Sequence, residues 1–92
     1  MALTVDVVGP DGIRWSGQAT FVTAPTVEGS IGLYPAHEPI MSVLKRGDVT
    51  VDDLEGKRAV LPITGGFLSF FDDTITVIAD SPDAPTALPD AQ

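Results

Sequence analysis

The chain has 92 residues, with 13 acidic against 5 basic side chains, a formal net charge of -8 and no cysteine. That length holds one domain with a modest core, and the lack of thiols excludes a disulfide framework and thiolate chemistry and fits a reducing compartment. The acidic balance sets the chain against phosphate backbones and anionic lipid headgroups, so nucleic acid is not an expected partner.

Leu3 to Val8 alternates, with Leu3, Val5 and Val7 on one side, which is the period of a strand. Gly9-Pro10-Asp11-Gly12 is dense turn chemistry. Ile13 and Trp15 then share a face on a short strand that returns antiparallel to the first. Gly17 interrupts it, and Ala19 to Ala24 resumes with Phe21 and Thr23 opposed to Thr20 and Val22.

Glu28 to Pro39 reads Glu-Gly-Ser-Ile-Gly-Leu-Tyr-Pro-Ala-His-Glu-Pro and is the stretch on which the rest turns. Gly29 and Gly32 permit backbone angles that a Cβ resists. Pro35 and Pro39 fix their own φ and push the preceding residues toward extended geometry. Ile31, Gly32 and Leu33 are therefore expected as a very short strand ending in a stiff, shaped loop. No basic residue lies between Arg14 and Lys45, which argues against a phosphate cradle there.

Ile40, Met41, Val43 and Leu44 form an apolar run broken only by Ser42. It reads as a fully buried strand, with a single helical turn as the competing reading; Pro39 before it and Lys45-Arg46-Gly47 after it favour the strand. Asp48 to Asp52 alternates with Val49 and Val51 inward. Asp53-Leu54-Glu55-Gly56 supplies a turn, and Arg58 to Ile63 returns as a partner whose Pro62 demands an edge or a bulge. After the break at Thr64-Gly65-Gly66, Phe67 to Phe71 and Thr74 to Ala79 form a tight hairpin through Asp72-Asp73. Residues 1–80 are thus expected to form one all-β domain, sandwich or barrel, with Trp15 and the phenylalanines in its core. Residues 81–92, rich in proline and aspartate with one large apolar side chain, read as a disordered tail.

No run approaches the ~20 apolar residues of a membrane-spanning helix, and the N-terminus lacks the charged-then-apolar pattern of a secretory signal. Catalytic candidates are few. His37 is the only imidazole; Glu38 stands beside it, and Ser30 or Ser42 would have to serve as nucleophile, yet neither has nucleophile-elbow spacing around it. The plainer role for His37 is a hydrogen bond within its loop or to a partner. Asp52-Asp53 and Asp72-Asp73 sit where turns are expected and lack calcium-loop spacing. Lys45-Arg46 and Lys57-Arg58 would form a basic patch if their turns fell at the same end. No cofactor or metal is expected, and composition alone describes a small acidic β-sandwich that binds other proteins.

Several stretches carry a resemblance. Trp15-Ser16-Gly17, the Glu28 to Pro39 loop, Leu44-Lys45-Arg46-Gly47, Gly65-Gly66-Phe67-Leu68 and Thr76-Val77-Ile78-Ala79-Asp80 resemble, in order and spacing, the epsilon subunit of the F-type ATP synthase in its N-terminal β-sandwich domain. The resemblance implies a flattened β-sandwich of about ten short, mostly antiparallel strands. It implies a non-catalytic central-stalk role, coupling proton flow to ATP synthesis through contacts with the gamma subunit and the c-ring. By position, Glu28, Gly29, Ser30 and Ile31 become the candidate c-ring contact, and His37, Pro39, Ile40 and Ser42 the candidate gamma edge. The implied location is peripheral, at the cytoplasmic face of the cell membrane. Ala36 departs from the family's usual glycine, and Ser30 from a residue that is often acidic. Family members commonly continue into a C-terminal helical pair that can inhibit hydrolysis and in some cases bind ATP. The proline-rich tail does not suit such a pair, so neither ratchet-like inhibition nor a nucleotide site is expected. A free-standing β-sandwich adaptor, or a small serine/histidine hydrolase, is the alternative reading.

Overall fold

The computed structural model describes residues 2–80, and the tail expected at 81–92 lies outside them. Six strands make up the domain: β1 (Leu3–Gly9), β2 (Gly12–Thr26), β3 (Gly29–Leu33), β4 (Ile40–Asp53), β5 (Arg58–Phe71) and β6 (Thr74–Ala79). There is no helix among the described residues. The strands order as β1-β6-β5-β4-β2-β3, and a further β1–β2 pairing closes five of them into a ring with β3 added on β2. The β1–β6 pairing is parallel; the others are antiparallel.

The all-β expectation is met, but about ten short strands are replaced by six, three of them long. The supposed breaks at Gly17, at Lys45-Arg46-Gly47 and at Thr64-Gly65-Gly66 lie inside β2, β4 and β5. Glycine within a strand can bend it or let another chain segment approach without ending it. A Cβ on Gly47 would lie 2.9 Å from Pro25, and one on Gly66 only 2.1 Å from the carbonyl oxygen of Ile78. These strands turn corners, so one strand serves both walls. The first half of β2 pairs with β1 and its second half with β3.

The core follows the alternation. Leu3, Val5 and Val7 of β1 are fully buried, as are Val49 and Val51 of β4 and Ile75 and Val77 of β6. Around them pack Leu33, Ile63, Leu68 and Phe70, with Trp15 and Ile31 partly buried against the cluster. The indole of Trp15 lies over Gly17, where any Cβ would sit 3.3 Å from the ring. Ser16 donates to Asp6 Oδ1 at 2.7 Å alongside, so the Trp-Ser-Gly text is a local packing unit.

Pro62 pairs with Asp48 on one side only, because β6 reaches no further along β5 than Gly66. Its missing N–H therefore costs the ladder nothing, and its carbonyl accepts from Arg14 Nη1 at 2.9 Å. The sequence expectation of an edge holds. The aromatic expectation holds in part: Phe70 is buried and Trp15 packs on the core, but Phe67 is 43% and Phe71 68% exposed.

Candidate partner-binding surface

Residues of opposite parity on β4, β5 and β6 share the outer wall. Register places Val43 beside Phe67 and Phe67 beside Ile78. Met41 lies beside Ser69 and is 67% exposed. Val27, at the β2–β3 turn, donates its N–H to the carbonyl of Val43 at 3.0 Å and extends this apolar row. Five large apolar side chains on three adjacent strands thus face outward: Met41, Val43, Phe67, Phe71 and Ile78. Scattered exposed apolar residues need no explanation, but a contiguous set points to an interaction surface.

The reading of Ile40 to Leu44 as buried on both sides is corrected by this register. Ile40 pairs with buried Phe70 and Ser42 with buried Leu68, so both point toward the inner side. Met41 and Val43 point out. A run that is apolar on both faces cannot reveal which face meets solvent. The same ambiguity hid Phe67, Phe71 and Ile78.

Two shallow grooves flank the face and share Met41. One is lined by Thr26, Val27, Glu28, Met41, Ser42 and Val43. The other is lined by Pro39, Ile40, Met41, Ser69, Phe70 and Phe71. The first brings Glu28 beside Ser42, and the second holds Pro39 and Ile40. Both sequence-derived residue groups thus border one continuous surface.

Glu28 sits in a turn built by buried Thr26, whose hydroxyl accepts from the Glu28 amide at 3.2 Å and donates to the Gly29 carbonyl. Gly29 has φ 126°, a left-handed value that favours glycine. Glu28 and Ser30 are exposed, while Gly29 is half-buried and Ile31 packs on the core.

His37 lies in the loop between β3 and β4. Its Nδ1 donates to the Glu38 carbonyl at 2.8 Å, an assignment fixed because a carbonyl can only accept. The ring meets Tyr34 edge-on at 5.8 Å and Phe70 at 5.6 Å between centroids. No hydrogen bond joins it to Ser30 or Ser42 among the described residues, so the elements of a hydrolase are not linked here.

The acidic side chains that form bonds here are spent on structure. Asp53 Oδ1 accepts from the amides of Glu55 and Lys57 at 2.8 and 2.9 Å. Asp52 bonds Arg58 Nε at 2.7 Å; that hydrogen bond, more than the charge alone, holds its carboxyl below the usual range. Among the described residues no group of three or more His, Cys, Asp or Glu could hold a metal ion. The two basic pairs do not form a patch. Lys45 stands opposite Gly65 and Arg58 opposite Asp52, seven rungs along one ladder and roughly 20 Å apart at strand spacing.

The architecture defines a small all-β domain, a closed ring of strands with an added edge strand and an apolar outer wall. Residues 2–83 match the family described as ATP synthase, Delta/Epsilon chain, beta-sandwich domain, and the chain belongs to it. The ATP synthase epsilon chain of Streptomyces griseus is 42% identical over 78 residues, 85% of this chain and 63% of its own length. That of Corynebacterium aurimucosum is 43% identical over 79 residues, 85% of this chain and 65% of its own. The chain therefore spans less than two thirds of the length of both relatives.

Two solved assemblies share the fold. A chain of the Euglena gracilis mitochondrial ATP synthase, OSCP/F1/c-ring in rotational state 1, superposes with TM-score 0.79 at 22% identity, covering 85% of this chain and 50% of that one. A chain of the Tetrahymena thermophila mitochondrial ATP synthase central stalk/c-ring gives 0.70 at 17% identity, covering 88% and 65%.

Proposed function

We propose that this domain is a non-catalytic part of the central stalk of a proton-translocating ATP synthase, binding the gamma subunit and the c-ring so that proton flow drives ATP synthesis. On this reading it sits peripherally at the cytoplasmic face of the membrane, and residues 1–80 form the docking body. The observation that carries the reading is the outward apolar wall of β4, β5 and β6, centred on Met41, Val43 and Phe67. Such a wall stays soluble on a chain of charge -8 and gains affinity when covered, since the buried centre of an interface is its apolar part.

Gamma covers this wall, with His37, Pro39, Ile40 and Ser42 along its border. The Glu28, Gly29, Ser30 and Ile31 turn meets the c-ring. Ion pairs at such an exposed turn are worth only ~0 to 1 kcal/mol each, so apolar burial supplies most of the affinity. A closed ring of strands deforms little and so loses little freedom on binding, which suits a part that carries torque.

Reconstitution of the ATP synthase with and without this chain tests the proposal. Omission should loosen the attachment of the catalytic head or waste proton flow, and adding back a Met41→Ser, Phe67→Ser chain should fail to restore coupling. Unchanged coupling on omission would sink it.

A further inference from the structure

Three non-glycine residues of the described chain carry left-handed backbone: Ala36 at φ 71°, Asp72 at φ 54° and Asp73 at φ 58°. Ala36 is remote in sequence from the adjacent Asp72 and Asp73, yet it meets that turn in space. The Ala36 N–H donates to Asp73 Oδ1 at 2.7 Å. Residues held in this region persist where their surroundings over-determine them, and they gather at sites with a task.

Asp72 and Asp73 are the two central residues of the β5–β6 turn, between the paired Phe71 and Thr74. Positive φ at both positions is the geometry that asparagine or aspartate followed by glycine supplies best. Aspartate in the second position breaks that local preference. What it adds is a carboxylate, and that carboxylate is spent on the Ala36 amide. The turn is itself anchored, because the Thr4 N–H donates to the Asp73 carbonyl at 2.9 Å. One residue is thus fixed to β1 by its backbone and to the 34–39 loop by its side chain.

That loop carries His37, whose amide donates to the Tyr34 carbonyl at 3.3 Å and whose ring rests on Phe70. It leads through Pro39 into the groove that Met41 and Phe71 share. We propose that Asp73 is a positioning residue: through Ala36 it locks the 34–39 loop in the shape that sets His37 and Pro39 at the rim of the docking wall. The docking part of this proposal rests on the gamma-binding reading above.

Hydrogen exchange at the Ala36 and His37 amides of the full chain reads the lock directly. Asp73→Gly removes the carboxylate while giving the turn its preferred residue, so the melting temperature should hold or rise while exchange at Ala36 accelerates about tenfold or more. Asp73→Asn keeps an acceptor oxygen and tolerates left-handed backbone, so protection should persist. With purified gamma subunit as the probe, Asp73→Gly should weaken binding by about threefold or more and Asp73→Asn should bind like the parent. Unaltered exchange in Asp73→Gly overturns the lock. Accelerated exchange with unaltered gamma affinity overturns its part in docking. If the parent chain does not bind gamma at all, the docking reading and this residue's part in it both fall, while the exchange result still decides whether Asp73 holds the loop.

Discussion

The carbonyl oxygen of Ile78 lies 2.1 Å from the point a Cβ on residue 66 would occupy, so Gly66 is the position at which β5 and β6 touch backbone to backbone. Its φ of 146° adds a second constraint. Neither backbone can yield without breaking the Phe67–Ile78 and Gly66–Ala79 rungs. Gly66→Ala should therefore cost ~3 kcal/mol or more, from overlap and backbone strain together. Urea denaturation of the purified variant checks this, and a loss below about 1 kcal/mol would mean the corner relaxes easily.

Phe67 and Phe70 stand three residues apart on one strand and should behave oppositely. Phe70 is 1% exposed, so Phe70→Ala should destabilise the domain by about 3–5 kcal/mol. Phe67→Ser should change stability by no more than about 1 kcal/mol while weakening capture of gamma by about tenfold or more. Paired denaturation and binding measurements on the two variants separate core from contact surface.

Arg14 reaches from β2 to the carbonyl of Pro62, a part-buried acceptor on the open side of β5. Arg14→Ala leaves that oxygen without its donor and should cost about 1–2 kcal/mol. Arg14→Lys, whose amine lacks the same reach and planarity, should recover only part of the loss. Chemical denaturation midpoints of the three chains give the comparison.

The Asp52 carboxyl is held below its ordinary value chiefly by its hydrogen bond to Arg58, which outweighs an opposing desolvation, with the charge of that guanidinium adding a lesser pull in the same direction. A carboxyl with a lower pKa folded than unfolded releases its proton more readily in the native state. The unfolded chain then binds more protons across the interval between the two values, so stability rises with pH there. The contribution is whole above the unfolded value of about 4 and disappears as pH falls through the folded one. Arg58→Gln should flatten the acid limb of a stability-against-pH curve and leave its slope near neutrality unchanged.

Much of the fold could be read from residue order. The alternation of Leu3, Val5 and Val7 and the inward Val49 and Val51 are burial patterns that one buried face imposes. The Asp53 turn follows from a side chain that bonds nearby amides, and the Asp72-Asp73 hairpin from residues that tolerate left-handed backbone between two apolar strands. Strand number was not legible, because a glycine that ends a strand and one that bends it look alike in sequence. Gly47 and Gly66 turn out to bend theirs, and only the third dimension supplies Pro25 and Ile78 as the reason.

The outward apolar wall could be read from the sequence by neighbourhood and not by side chain. Ile40 and Ser42 lie on β4, which carries part of the apolar wall, yet they stand opposite buried Phe70 and Leu68. Outward Met41 and Val43 alternate with them in sequence. Where both faces of a strand are apolar, parity decides which residues a partner meets, and parity is fixed by pairing to β5. The Asp73–Ala36 bond was also beyond the sequence, since it spans 37 positions.

The parallel rung between Thr4 and Thr74 bears on how the chain is made. A strand that emerges early from the ribosome must wait for the last described strand before its second neighbour arrives. Closure over so long a separation is slow by nature. Until β6 is released, the second edge of β1 is paired only with water and stays open to other strands.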